Sequence, residues 1–200
     1  MTPTYHHGDL RRAVLDRAAE VIADEGPGLF SLRSLAADLG VSHAAPRHHF
    51  GSRKGVLTAL AAEGFTVLAE QLREVRETGG GFADVGVAYV RFAVAHPSHF
   101  EVMFAPKLLD QNDAALSDAR ELTFAELRGG VQALENEGRV ADPPAAVLAA
   151  WSIVHGIATL ALSGNLDASA LRSHVAEGDL LEITRRSALL LFRPSTDDPS

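Results

Sequence analysis

SLRSLAADLGVSHAAPRHHF, residues 31–50, is the stretch that decides the fold. Ser31 is a predicted N-cap for a short helix, Gly40 ends that helix after little more than two turns, and Ser42 is predicted to cap the next one. Ala36 lies four residues before Gly40, and this spacing lets two helices cross closely while the glycine adopts the left-handed turn between them. The pattern indicates a helix-turn-helix, a motif whose second helix enters the major groove of DNA.

Outward from this stretch the periodicity stays helical, and no segment sustains the alternation of a β-strand. An apolar stripe at 9–25 predicts a helix before the motif, and Ser52 is predicted to cap a long helix after it. A final helix is predicted at 179–192, and residues 100–104 read as a short buried turn. We therefore predict an all-α fold of about nine helices: an N-terminal three-helix helix-turn-helix module and a C-terminal helical domain.

The charge of the chain is distributed unevenly. The net charge is −8, yet residues 1–60 carry a net +1 and residues 61–200 a net −9. Between residues 33 and 54 there are four basic side chains and one acidic side chain. For a nucleic-acid partner the position of the positive charge matters more than its total. The predicted division is a DNA-binding domain at 1–56, a second domain at 57–193 and a disordered tail at 194–200.

Residues 8–60 as a whole, and the run from Ser31 to Leu57 in particular, resemble the DNA-binding signature of the TetR family. The resemblance implies a cytoplasmic homodimer that binds double-stranded DNA at a palindromic operator and responds to a small-molecule effector. Pro46 and Arg47 depart from the leucine and tyrosine usual in the family. Arg47 replaces a phosphate-contacting phenol with a cation, which increases the salt sensitivity of that contact.

On this basis we predict base contacts by His43 and Ala44, and phosphate contacts by Ser31, Arg47, His49 and either Arg53 or Lys54. Arg33 points to the DNA backbone or to a groove edge. The complete set of predicted DNA-binding residues is Ser31, Arg33, Ser42, His43, Ala44, Arg47, His48, His49, Arg53 and Lys54.

Past residue 60 the resemblance to the family continues in residues 89–104 and in the segment Trp151–Gly156, which is similar to the tryptophan-histidine-glycine motif of one branch. Small residues around Gly156 and an excess of leucines in the final helix favour helix packing across a two-fold axis. The predicted dimer interface comprises Trp151, Gly156, Leu160, Leu180, Ile183 and Leu190.

An effector, predicted to be apolar, would bind among aromatic and apolar side chains of the second domain, although most of these suit an ordinary core equally well. Tyr89 and His155 are of more interest because buried polar groups need partners, which a ligand can supply. The predicted pocket residues are Phe65, Tyr89, Phe92, Phe100, Met103, Phe104, Phe124, Leu127, Trp151 and His155.

Several other classes of protein find no support in the sequence. Nine histidines raise the possibility of a metalloenzyme, but there is no HExxH motif and no cysteine, so we expect no metal and no cofactor. A G-x-S-x-G elbow and a phosphate-binding glycine loop are also missing, and we expect no enzymatic activity. The apolar run 145–162 has the minimum length of a membrane span, but it fits a helix buried between protein surfaces better.

One alternative within DNA binding stays open. The chain could bind DNA constitutively, or with a corepressor, and lack an inducing ligand. The large acidic second domain argues against a simple DNA-binding protein, because DNA binding alone does not need it. The sign of the response to an effector is not encoded in any residue pattern.

Overall fold

The computed structural model describes residues 7–168 and 179–191, with side chains from Leu10 onward. In these ranges the chain forms ten α-helices and a 3-10 turn at Pro106–Leu108, with no strand. The helices are α1 (His7–Glu25), α2 (Leu32–Asp38), α3 (Ala44–Phe50), α4 (Arg53–Glu77), α5 (Phe82–Ala95), α6 (Pro97–Met103), α7 (Ala114–Asn136), α8 (Pro143–Leu162), α9 (Asn165–Ala168) and α10 (Leu180–Leu191). The predicted all-α class is confirmed.

The chain divides into two compact units. The first comprises residues 1–66 and 96–120, and the second comprises residues 67–95 and 121–200. Each unit therefore takes two separate segments of the sequence, because α6 packs on α1 rather than on the helices that follow it. The predicted division of function at residue 57 remains a prediction.

The first unit is built around α1, whose inner face buries Val14, Leu15, Ala18 and Ile22. The helices α2, α3 and α6 all pack against it. Two polar contacts add to this packing: the Ser98 hydroxyl donates to the Ala19 carbonyl at 2.7 Å, and Glu63 pairs with both Arg12 and His99.

Two local predictions in this unit were wrong. His43, not Ser42, occupies the N-cap of α3, and its side chain makes no capping bond. Ser42 contributes its backbone carbonyl, which accepts from the Ala45 N–H at 3.0 Å. The expected turn at 100–104 is mostly helix, because Pro97 at the start of α6 has the backbone conformation of a first helical turn.

The second unit centres on α5, which packs against both α8 and α10. A Cβ atom at Gly86 would lie 3.1 Å from a methyl group of Val154, so the glycine allows α5 to approach α8 closely. Asp142 caps α8 by accepting from the Ala145 N–H at 3.1 Å. Asp84 of α5 pairs with Arg185 of α10.

The outward side of α8 is apolar. Ala150, Val154 and Ala158 face inward, while Leu148 and Leu160 are exposed. Among the described helices α8 alone is long and apolar enough to cross a membrane, with a mean hydropathy of 1.9, and 17% of its most apolar window is buried within the chain. One such helix is weak evidence for a membrane span. The predicted end of the last helix at Phe192 and the predicted disordered tail lie outside the described residues.

Candidate nucleic-acid interface and effector region

The turn between α2 and α3 has the geometry that its sequence predicts. Gly40 adopts φ +65°, the left-handed conformation that favours glycine. Its N–H donates to the Ala37 carbonyl at 3.1 Å, and the Val41 N–H donates to the Ala36 carbonyl at 3.0 Å. These two bonds form a Schellman motif, which satisfies the last carbonyls of α2. Ala36 is completely buried at the crossing of the two helices.

The start of α2 is held by a capping box. The Ser31 hydroxyl accepts from the Ser34 N–H at 3.0 Å, and the Ser34 hydroxyl accepts from the Ser31 N–H at 3.2 Å. Both side chains are exposed, and the Ser31 O–H also donates to the Ser34 hydroxyl oxygen at 3.1 Å. The predicted cap is confirmed, and a phosphate contact by Ser31 would have to replace this last bond.

Burial along α3 separates its inner and outer faces. Pro46 is buried and Phe50 is half-buried, so these two residues face the core of the unit. At about 100° per residue, Ala44 and His48 lie farthest from Pro46 around the helix. Both are exposed, as are His43 and Arg47. The outermost positions of the recognition helix are therefore Ala44 and His48.

An open groove of about 450 Å³ runs beside α3. Arg33 of α2 lines it together with His43 and Arg47 of α3. Its remaining lining residues are Leu32, Gly51 and Ser52. The fold thus brings together at the start of the recognition helix three predicted DNA-binding side chains, two of which are arginines. His49 lies on the other flank of α3, half-buried, with its ring 6.4 Å from that of Phe50.

The two basic residues at the start of α4 have different surroundings. Lys54 is exposed. Arg53 is half-buried and donates from Nη2 to the Pro27 carbonyl. Its guanidinium also lies 5.2 Å from the centroid of the Phe30 ring. The sequence left open which of the two contacts phosphate, and the structure favours Lys54 because Arg53 is bound within the unit.

The predicted effector-pocket residues are divided between the two units. Phe65, Phe100, Met103 and Phe104 belong to the first unit. Phe104 packs against the rings of Phe65 and Phe100 at centroid distances of 5.6 and 5.0 Å, and a Cβ atom at Gly64 would lie 2.6 Å from the Met103 sulfur. Packing this close is typical of a core, so these four side chains read as structural.

In the second unit three of the predicted pocket residues form a polar cluster. The Tyr89 hydroxyl lies 2.9 Å from Nδ1 of His155, and the Trp151 indole N–H donates to the Tyr89 oxygen at 3.4 Å. Because an indole nitrogen only donates, the Tyr89 O–H is available for His155. Burial raises the pKa of Tyr89 and lowers the pKa of His155, so both neutral forms are favoured. The Phe124 ring packs edge-on against Trp151 at 5.4 Å.

The remaining two predicted pocket residues, Leu127 and Phe92, also belong to the second unit. Leu127 packs on the cluster around Leu134 and Ala150. Phe92 lines a second open groove of about 450 Å³, which sequence reasoning missed. Its lining is completed by Ala88, Arg91 and Ala95 of α5, by Gln71, Glu74 and Val75 of α4, and by Thr78 just after α4. No motif marks this groove, because it forms only where the fold places side chains of the successive helices α4 and α5 next to each other.

The predicted dimer-interface residues differ in exposure. The side chains of Leu160 and Leu190 are 41% and 64% exposed, and Leu180 and Ile183 are half-buried. Trp151 is occupied within the unit by its contacts with Tyr89 and Phe124. Apart from its own helix, a Cβ atom at Gly156 would meet no atom of residues 7–168 and 179–191 within 4 Å. The glycine in the middle of α8 therefore serves no close packing inside the described chain.

Comparison with known proteins identifies the family. Residues 14–60 match the family described as "Bacterial regulatory proteins, tetR family". Residues 82–179 match the family described as "Tetracyclin repressor-like, C-terminal domain". The first range contains the helix-turn-helix, and the second contains the Tyr89, Trp151 and His155 cluster. The branch defined by a tryptophan-histidine-glycine motif remains a prediction.

Individual relatives agree with this assignment. An uncharacterised HTH-type transcriptional regulator of Bacillus subtilis is 29% identical over 114 residues, which cover 56% of this chain and 59% of that relative. The structure of a protein with unknown function from Rhodococcus sp. RHA1 is 33% identical, with a TM-score of 0.77, and the match covers 96% of this chain and 97% of that one. A TetR-family regulatory protein from Rhodococcus RHA1, 21% identical, shares the fold with a TM-score of 0.71 over 92% of this chain and 95% of that one.

The two family matches lie on the helix-turn-helix and on the helical domain that follows it, and both belong to the same family of transcription factors rather than to an enzyme family. The chain is a member of the TetR family of DNA-binding transcriptional regulators.

Proposed function

We propose that the chain is a homodimeric repressor that binds a palindromic operator and is released from it by a small, apolar effector. The observation that carries the DNA-binding part is the groove beside α3, where Arg33, His43 and Arg47 converge. Two cations and an imidazole around one open groove complement the negative phosphates and the acceptor-rich edges of the major groove. The bacterial cytoplasm is the compartment that fits this function.

Within this interface we assign different roles to different side chains. Ala44 and His48, the outermost residues of α3, face the base edges, with His43 beside them at the entry of the helix. Arg33, Arg47 and Lys54 hold phosphates on either side of the groove, which positions the module without reading sequence. Ser31, Ser42 and His49 lie at the margins of this surface. His48 gains a role that the sequence alone did not assign.

A second copy of this chain is the occupant we propose for the apolar surface of α8 and α10. Exposed leucines lie on both helices: Leu148, Leu160 and Leu162 on α8, and Leu189, Leu190 and Leu191 on α10. Several exposed leucines on two helices that pack together are typical of an interaction site, and a two-fold axis would make such a surface complementary to itself. Gly156 supports the proposal because a helix crossing from a second copy would use the space that this chain leaves open.

For the effector we propose a site in the second unit that uses the hydrogen-bonded cluster of Tyr89, Trp151 and His155 as its polar anchor. A ligand carbonyl or hydroxyl could take over one of the cluster's hydrogen bonds, while the rings of Phe124 and Trp151 supply apolar contact. The other residues predicted for the pocket are better explained as core. No cofactor or metal is needed for this function.

The effect of the effector on DNA binding follows from thermodynamic linkage between the two binding sites. An effector that binds better to a dimer with wrongly spaced recognition helices weakens operator binding by the same factor by which the operator weakens effector binding. Half-sites in successive major grooves are about 34–36 Å apart, so a shift of a few ångströms suffices.

The test is a random-sequence selection with the purified protein, followed by fluorescence anisotropy on the selected duplex and on a scrambled duplex at two salt concentrations. We expect a palindromic site that is bound specifically at physiological salt, and we expect apolar compounds to release it. A selected site without two-fold symmetry would contradict the dimeric mode. Operator binding unaffected by a broad panel of apolar compounds, or strengthened by one, would favour the constitutive or corepressor-dependent alternative.

A further inference from the structure

Arg53, at the start of α4, contacts the loop that precedes α2, so its side chain connects the two ends of the helix-turn-helix segment. Arg53 is the first residue of α4, and Pro27 and Phe30 lie in the loop between α1 and α2. The guanidinium donates to the Pro27 carbonyl and lies over the Phe30 ring at 5.2 Å. Everything between these points, residues 31–52, is α2, the turn and the recognition helix. One side chain therefore closes the two ends of the DNA-reading segment on each other.

The surroundings of Arg53 are those of an internal contact and not of a surface cation. Phe30 is buried, with 3% of its surface exposed. The Nε atom of Arg53 is itself buried and has no hydrogen-bond partner in the described structure. Among the described residues no carboxylate forms an ion pair with this arginine. The planar guanidinium is suited to donating to a carbonyl and stacking on a ring at the same time, which an ammonium group does less well.

A second feature fixes the same joint. A Cβ atom at Gly55 would lie 1.9 Å from the Phe50 carbonyl oxygen, so α4 begins in close contact with the last residue of α3. The Ser52 hydroxyl accepts from the Gly55 N–H at 3.1 Å and caps α4 there. With the end of α3 held by Gly55 and the segment before α2 held by Arg53, the position of the recognition helix in the first unit depends on both contacts.

We propose that Arg53 is a positioning residue for DNA recognition: it holds the helix-turn-helix in the orientation that reads the operator and does not itself contact a phosphate. The inference rests on the specific DNA binding proposed above. As a consequence, a positive charge at position 53 is not sufficient for specific DNA binding. The planar guanidinium is required, because it contacts the Pro27 carbonyl and the Phe30 ring at the same time.

The experiment compares wild type, Arg53→Lys and Arg53→Gln, with Lys54→Gln as the matched control at the neighbouring position. The probes are the duplex selected from random sequence by the wild-type protein and a scrambled duplex. Affinity is measured across a salt series at a temperature well below the thermal midpoint of each variant. Because Arg53→Lys keeps the charge, we expect it to leave binding to the scrambled duplex and the salt slope unchanged. We expect its preference for the selected duplex to fall about tenfold, comparable with losing one base contact.

The control should behave in the opposite way. Lys54→Gln should reduce the salt slope by about 0.9, the value for one phosphate contact, with little change in preference for the selected duplex. Phe30→Leu, which removes the ring and keeps an apolar side chain, should reproduce the loss of preference seen in Arg53→Lys.

Two results would overturn the proposal. If Arg53→Lys binds like wild type while Arg53→Gln lowers the salt slope by about 0.9, Arg53 is a phosphate contact. If Arg53→Lys lowers only the melting temperature and leaves the preference intact, Arg53 is a stabilising residue without a role in reading DNA. A wild-type protein that selects no duplex would contradict the specific binding itself, and with it this role of Arg53.

Discussion

The recognition helix and the helix pair α8 and α10 both present an outward surface, but the two surfaces differ in chemistry. On α3 and at its N-cap the exposed residues include Arg47, His48 and His43, while Pro46 on the opposite face is buried. On α8 and α10 the exposed residues include six leucines.

The chemistry of each surface indicates the kind of partner that it suits. A polar, basic surface is compatible with water until a polyanion displaces its counterions, so it suits reversible, salt-dependent binding. An apolar surface of several leucines is unfavourable in water and suits a partner that covers it permanently. One copy of the chain therefore carries a surface for a transient partner and a surface for a lasting one.

The largest effect should come from breaking the apolar surface. The double change Leu160→Asp and Leu190→Asp places charges where a second copy would pack, so we expect monomers by analytical ultracentrifugation. Operator affinity should fall by about 100-fold or more, because two linked half-sites become two independent ones. Leu122→Asp is the matched control, since Leu122 of α7 is comparably exposed, at 57%, but lies outside this surface. A dimeric double variant would place the interface elsewhere.

A smaller effect is expected on the basic surface. Arg47→Ala should weaken operator binding about tenfold and lower the slope of log affinity against log salt by about 0.9, as for one phosphate contact. Arg91→Ala removes an exposed arginine of α5 and should leave both quantities unchanged. A changed consensus in a random-sequence selection with Arg47→Ala would assign Arg47 to base reading instead.

Changing the polar cluster of Tyr89, Trp151 and His155 tests whether the second unit contains an effector site or only a structural core. Tyr89→Phe removes the hydroxyl between Trp151 and His155, so the free energy of unfolding should fall by about 1 kcal/mol. If the cluster anchors the effector, release of the operator by an active compound should need a higher concentration of that compound. Phe92→Leu, a change at a buried apolar position of the same helix, should affect stability alone.

A pH effect of similar or smaller size follows from His155. Burial lowers its pKa in the folded chain below the ordinary value of 6.5. The unfolded state therefore binds the proton more readily, and folding stability should decrease as the pH falls below 6.5. Urea unfolding of His155→Gln should show a weaker loss over the same range. Burial also lowers the pKa of His96, which stays in both proteins and cancels in the comparison. Equal pH profiles would contradict the assignment.

The smallest effect is expected at Gly156. Apart from its own helix, the alanine Cβ there meets no atom of the described residues within 4 Å, so Gly156→Ala should stabilise the isolated chain by about 0.5–1 kcal/mol through helix propensity. Measured in the monomeric double variant, the thermal midpoint should rise. In the otherwise wild-type protein, the same change should weaken dimerisation, because a second helix would meet the new methyl group. Unchanged dimerisation would move the helix crossing away from Gly156.

Much of the local structure could be predicted because it is encoded locally. Ser31 caps the helix that its position indicated, and Gly40 ends α2 with the expected left-handed conformation. Where prediction was wrong, short-range signals competed: Ser42 was as good a cap in sequence as Ser31, yet the helix starts after His43. A side chain can cap only where the backbone places it, and packing of α3 on α1 and α2 sets that backbone.

The sequence by itself determined the helical class, the helix-turn-helix, the position of the basic cluster and the family resemblance, since each depends on residues close together in the chain. The tertiary structure decided which side chains lie next to each other. Arg53 is bound to Pro27 while Lys54 faces outward, and Tyr89 contacts His155. Four of the predicted pocket residues belong to the first unit. Such pairings join residues 26 to 66 positions apart, and a distance of that length along the chain leaves no periodic signal in the sequence.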